Sequence, residues 1–124
     1  MITITNKLIE KILINTLQKG GYSIDLSNGE DSFNKGYFVA VDNTEVQTPL
    51  AKGTLTRTAI KNFIIENRLL LNVKGRVLGL WIESNKLYID VSKKYNELEY
   101  AKKCGIRAKQ LAIFCNETKE VIDL

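Results

Sequence analysis

The amino-acid sequence predicts an α+β domain with a mainly antiparallel sheet of about five strands and three helices, in the order α-β-β-α-β-β-α-β. Three observations carry this expectation. A helical repeat of apolar residues opens the chain, a hairpin with chemically matched cross-strand pairs lies in the second half, and strands and helices mix without a regular βαβ alternation. No internal repeat, proline-rich linker or compositional break divides the 124 residues, so 1–124 reads as one domain of ordinary size.

The first helix is expected from Lys7 to Lys19. Leu8, Ile9, Ile12, Leu13 and Leu17 recur at helical spacing, Thr5 or Asn6 can cap the start, and Gly20 can end it. Tyr22 to Leu26 alternates as a strand and runs into the turn signal Ser27-Asn28-Gly29. Gly36 to Val41 reads as a second strand, continued irregularly by Thr44 to Gln47 and broken at Pro49. A second helix follows, with Thr54 or Thr56 to accept its first free amides and with Ile60, Phe63, Ile64 and Leu70 as its core face.

Val77 to Ser92 is the most strongly determined piece. With Ser84-Asn85 as a two-residue turn, the cross-strand partners become Glu83–Lys86, Ile82–Leu87, Trp81–Tyr88, Leu80–Ile89 and Leu78–Val91. Each pair is matched in kind, and a slip of one residue would break them all. Leu78, Leu80, Ile82, Leu87, Ile89 and Val91 therefore form the core face, leaving Trp81 and Tyr88 paired on the other, next to Gly79 and Asp90. A third helix is expected after Asn96 as cap, with Glu99 completing a capping box and Tyr95 stapling onto Tyr100. Its small residues Ala101, Gly105 and Ala108, in line with Leu98, call for close packing on the sheet. Leu111 to Cys115 is the last strand, turning at Asn116-Glu117-Thr118 towards Val121 and Ile122.

Composition narrows the chemistry. There is no histidine, which excludes Ser-His-Asp and Cys-His catalysis, histidine-ligated zinc and a histidine proton shuttle. Cys104 and Cys115 read as small core residues rather than as a disulfide framework. The start shows no signal-peptide pattern, and the longest apolar runs are far below the roughly 20 residues that span a bilayer, so a cytoplasmic protein without membrane contact is expected. The net charge of +4 is uneven: residues 1–51 carry four basic and six acidic side chains, residues 52–109 thirteen and five, and residues 110–124 one and three. A basic middle attracts phosphate backbones or acidic protein surfaces. Lys93, Lys94, Lys102, Lys103 and Arg107 are its candidate contacts. The competing reading is that these lysines merely solvate the outer faces of helices.

No phosphate-binding glycine loop is present, and the scattered carboxylates do not ask for a metal; no cofactor and no metal site are expected. A magnesium enzyme built on Asp90 with Glu83 or Asp25 is the weakest of the readings weighed. Trp81 and Tyr88 offer a platform that can stack bases or anchor a protein, unless a helix covers that face and makes them a second core layer.

Gly79-Leu80-Trp81-Ile82, Lys86-Leu87-Tyr88-Ile89-Asp90-Val91-Ser92, Ala101, Gly105 and Gln110-Leu111-Ala112-Ile113-Phe114 together resemble a pattern in small α+β accessory proteins of phages, plasmids and integrative elements. That pattern has a G-x-W-x-(E/D) strand, an L-Y-x-D-V-S strand, an alanine- and glycine-containing helix and a closing Q-x-A-I-(W/F) strand. It covers about residues 79–122, and this chain departs from it with Cys115 where an acidic residue is common. The resemblance carries no catalytic residue. It implies a mobile-element protein of a kind that includes inhibitors of host defence, among them anti-CRISPR proteins. The expectation is thus a non-enzymatic protein acting in the host cell on a host protein or nucleoprotein surface through Trp81, Tyr88 and the basic side chains. The alternative is a small nucleic-acid-binding regulator or accessory protein of element transfer, using the basic segment 52–109.

Overall fold

The computed structural model describes residues 2–41, 44–50 and 54–124. Thr5 and Gly20 bracket the first helix, α1 (Asn6–Lys19). The Thr5 hydroxyl accepts from the Leu8 amide at 3.1 Å, and Gly20, at φ 76°, donates its N–H to the Thr16 carbonyl. Only glycine adopts that left-handed turn without a Cβ penalty. Ile9, Ile12, Leu13 and Thr16 are the buried stripe, whereas Leu17, expected in the core, is exposed. Thr16 takes the inward position because its hydroxyl is satisfied by the Ile12 carbonyl at 2.7 Å.

Seven strands follow among the described residues: β1 (Gly21–Ile24), β2 (Tyr37–Ala40), β3 (Val46–Pro49), β4 (Arg76–Glu83), β5 (Lys86–Tyr95), β6 (Ala112–Cys115) and β7 (Glu120–Asp123). All pairings are antiparallel, in the order β1-β4-β5-β2-β6-β7. Along one edge of the long β5, β3 pairs with Lys86–Ile89 and β2 pairs with Ser92–Tyr95. The expected continuation of the second strand is therefore a strand of its own. The turn into β7 also ends in a strand, which takes the count above five.

The helices are α1, α2 (Thr54–Glu66), the single turn α3 (Arg68–Leu71) and α4 (Leu98–Arg107). The helix expected after Thr54 and Thr56 is interrupted at Asn67, whose side-chain amide donates to the Phe63 carbonyl. The restart shifts the inward phase by one residue, so Leu71 is fully buried and Leu70 sits at the margin of the core. Thr56 is buried within the first turn, and the side chain of Thr54, like Lys52 of the basic segment, lies outside the described residues. At α4 the expected cap fails: Glu97, not Asn96, precedes the helix, and no side chain caps it. The Tyr95–Tyr100 staple is present, with ring centroids 5.5 Å apart.

The hairpin register agrees with expectation at all five pairs. Its aliphatic face meets α1, α2 and β1 in the main core, where Leu78, Leu87, Ile89 and Val91 are wholly buried. The same face continues through Tyr95, Val39 and Ile113, which pack against Ala101 of α4. The long helices thus share one side of the sheet. Cys115 is buried and Cys104 half-buried, both as free thiols.

Gly105 explains how closely α4 lies on the sheet. A Cβ there would stand 3.0 Å from the Ile113 Cγ2 and 2.6 Å from a Leu124 methyl. Gly105→Val should therefore cost roughly 1–3 kcal/mol of stability by overpacking. Ile106→Val, on the exposed side of the same helix, should be near neutral in the same urea titration.

Candidate functional site

The opposite face of the sheet is built differently. Alternation places Gly21 and Ser23 of β1, Gly79 and Trp81 of β4, Tyr88, Asp90 and Ser92 of β5, Ala40 of β2 and Ala112 of β6 on this side. Small side chains dominate the middle, and among the described residues no helix packs there. The loop before β2 covers one end: Phe33 sits edge-on against Phe38, centroids 5.0 Å apart, in a cluster with Val77 and Phe114. Between that aromatic end and Trp81 runs an open groove of about 1130 Å³.

Asp90 occupies the floor of the groove and is only 4% exposed. Its position depends on the residue opposite, because a Cβ on Gly79 would lie 2.6 Å from the Asp90 Oδ1. Ser92 donates its hydroxyl to Oδ1 at 2.8 Å. Burial pushes the Asp90 carboxyl up to about 7; the Ser92 hydrogen bond opposes this, and the negative charge of Glu45 adds to it. Glu45 lines the same groove, with its own carboxyl raised by desolvation although its side chain reaches the surface. The two ion pairs among the described residues, Lys11–Asp31 and Arg57–Glu10, involve neither acid.

Trp81 and Tyr88 lie one step along the strands from Gly79 and Asp90. Their rings are stacked, 5.0 Å between centroids and within 3° of parallel, and both are half-buried. The competing expectation, a helix that makes this pair a second core layer, is not met among the described residues.

The basic candidates do not join them. Consecutive residues in a strand face opposite ways, so Lys93 stands on the helix side, its Nζ 5.3 Å from the Tyr95 ring centroid, whereas Lys94 lies on the groove side, 6.0 Å from that of Phe33. Lys102, Lys103 and Arg107 belong to α4 on the helix side, with Lys103 and Arg107 exposed one turn apart. The expected single surface is thus two: an aromatic groove with Asp90 in its floor and lysines among its lining, and a basic helix across the sheet from it. Asp90 also has neither Glu83 nor Asp25 for company. Glu83 pairs with Lys86 at the hairpin end, and Asp25 holds the Ser27 amide and hydroxyl in a turn. Among the described residues there is no group of three or more metal-capable side chains.

Sequence reasoning missed the walls. Phe33, Phe38, Phe114 and Leu111 reach the groove only through the β2–β6 pairing and the loop before β2, and Lys19, Lys109 and Lys119 line it with them. The position of Asp90 opposite Gly79, by contrast, follows from the hairpin register. Comparison of the chain with protein-family models, with curated proteins and with solved structures finds no match. No helix of the described residues is long and apolar enough to cross a membrane.

Two outcomes test this geometry. The folded state holds the Asp90 proton to about 7 against an ordinary value of 3.8. The contribution of Asp90 to stability should therefore be full below about pH 4 and be lost as pH rises towards about 7, since at that site the folded chain holds a proton that the unfolded one has released. Asp90→Asn should flatten that slope and raise the melting temperature above about pH 7, by a free energy on the order of a few kcal/mol, with little change near pH 4. Gly79→Ala should cost roughly 1–3 kcal/mol by forcing the carboxylate aside. Adding Asp90→Ala should recover most of that loss; strictly additive effects in a double-mutant cycle would refute the contact.

Proposed function

We propose that this chain is a non-enzymatic binding protein that engages its partner through the open face of the sheet. One observation carries the reading: a parallel Trp81–Tyr88 stack, half-buried and uncovered by any described helix, whose Trp81 lines the end of a large groove. Half-buried aromatic pairs beside a concavity supply large contact area with little rotamer entropy to lose, which is why tryptophan and tyrosine are enriched at binding hot spots. In this reading the Ser92 hydroxyl, which donates to Asp90 in the floor of the groove, serves to hold that carboxyl in place. The biological setting in this proposal is a phage or mobile-element protein that inhibits a host defence system, anti-CRISPR-like in action, by occupying a protein or nucleoprotein surface in the host cytoplasm. That setting rests on the resemblance of residues 79–122 described above.

A second reading has one observation of its own. Lys103 and Arg107, exposed a turn apart on α4 beside Lys102, form a basic strip that suits phosphates. Because the strip lies across the sheet from Trp81 and Tyr88, it would bind nucleic acid without base stacking on that pair. An oligonucleotide titration separates the readings. Affinity falling steeply with salt and lost in Lys103→Ala/Arg107→Ala supports nucleic acid; absence of binding at low salt removes it.

For the leading reading, Trp81→Ala should weaken capture of the partner from host lysate by about 2 kcal/mol or more. Thermal stability should fall by less, about 1–2 kcal/mol, from the lost aromatic pair and the half of the side chain that is buried. Parallel losses of binding and of folding would instead make Trp81 a structural residue.

A further inference from the structure

We infer that the groove receives an organic cation, an alkylammonium or guanidinium group on an apolar stem, with Asp90 as its counter-charge. The inference rests on the reading of the open face as the binding face and names the chemistry that face recognises. Three features converge. The Asp90 carboxyl is buried at the floor, and its single side-chain hydrogen bond among the described residues comes from Ser92, a donor that favours the ionised form. A second acid, Glu45, adds negative charge from the β3 side, and neither acid forms an ion pair among the described residues. The next residues along the face are the stacked Trp81 and Tyr88, of which Trp81 lines the groove, and Phe38 and Phe114 close the other end. Cations held between a carboxylate and aromatic faces gain from both, more so where water is displaced.

Lys19, Lys109 and Lys119 line the groove and oppose a cation, but they are exposed, where water screens them, and the Lys119 ammonium donates to the Phe33 carbonyl at 2.5 Å. Asp31 is already engaged by the Tyr22 hydroxyl at 2.6 Å and by Lys11. The uncompensated charge is at the floor, where a buried carboxylate without a cation is costly to maintain. A bound ammonium would offset that cost and draw the proton off Asp90.

The cation can be a free amine or the side chain of a protein partner, and the experiment distinguishes them. The full chain is titrated with phenethylamine, with its neutral analogue 2-phenylethanol, and with capped lysine and arginine amides, following Trp81 fluorescence and the Asp90 carboxyl carbon by NMR. The amine is expected to shift the Asp90 resonance, to bind at least about tenfold more tightly than the alcohol, and to lose at least about tenfold in Asp90→Asn. Its affinity should rise with pH across the range in which Asp90 ionises, while the amine stays charged. Capped amides that bind as well as phenethylamine assign the site to a partner's side chain; binding of the free amine alone assigns it to a small molecule.

Equal binding of amine and alcohol would overturn the inference. So would affinity falling as pH rises, which would make protonated Asp90 a hydrogen-bond donor, or an Asp90 resonance that no amine moves. These failures leave the open-face reading standing if Trp81→Ala still abolishes partner capture. Conversely, amine binding with unchanged capture by Trp81→Ala would keep the cation site and remove that reading.

Discussion

The structure depends on the β4–β5 ribbon. Its eight cross-strand pairs, from Arg76–Lys93 to Glu83–Lys86, set which residues face the helices and which face away, and every other strand except β6 and β7 pairs directly with it. The two-residue turn holds Ser84 and Asn85 at φ 51° and 61°, the left-handed values whose twist matches that of paired strands. Because side chains alternate with a period of two, this one register distributes the wholly buried Leu78, Leu87, Ile89 and Val91 to one side and Gly79, Trp81, Tyr88, Asp90 and Ser92 to the other. A slip by one residue would exchange the core for the groove.

The two faces are consequently under different demands. On the helix side, large aliphatic residues exclude water, and α4 is drawn so close that Gly105 has no room for a methyl group against Ile113 and Leu124. On the groove side the middle of the sheet is kept low by Gly21, Ser23, Gly79, Ala40 and Ala112, while bulk is pushed to the ends as Trp81, Tyr88, Phe33, Phe38 and Phe114. A face shaped in this way encloses space instead of filling it. That is unfavourable for packing, since unfilled apolar surface forfeits dispersion contacts, and it suits a surface that is completed by something else.

What could be read in advance follows the range of the interactions. The hairpin was legible because its pairs are close in sequence and each checks the others. The same holds for α1, whose cap and terminating glycine are local signals. The cap of α4 was not: β5 stays extended and paired with Tyr37 as far as Tyr95, which carries the chain past Asn96 and starts the helix one residue late, at the cost of a capping side chain. The separation of β3 from β2 was hidden for a related reason, since only the great length of β5 lets two strands share one of its edges. In the site, alternation placed Trp81, Tyr88 and Asp90 on one face. It also separates Lys93 from Lys94, so treating adjacent strand lysines as one patch overlooked information already in the sequence. The groove walls depend on the pairing of β2 with β6, residues more than seventy apart, and no local pattern announces it.

Gly79 and Asp90 tie the fold to the face it presents. Glycine inside a strand weakens it, and a buried carboxylate with one donor weakens the domain further, so each is unfavourable alone. Together they are mutually conditional: the missing Cβ at Gly79 is the space that the Asp90 carboxyl fills, and any side chain there would drive the carboxyl into the groove or out of it. Ser92 then fixes one oxygen, which orients the other. A sheet that needed only stability would place a β-branched residue at both positions, because such pairs pack well on a pleated surface. The pair found here instead spends stability on a fixed, desolvated acid between aromatic walls, a group that the folded chain keeps neutral by holding its proton to about pH 7.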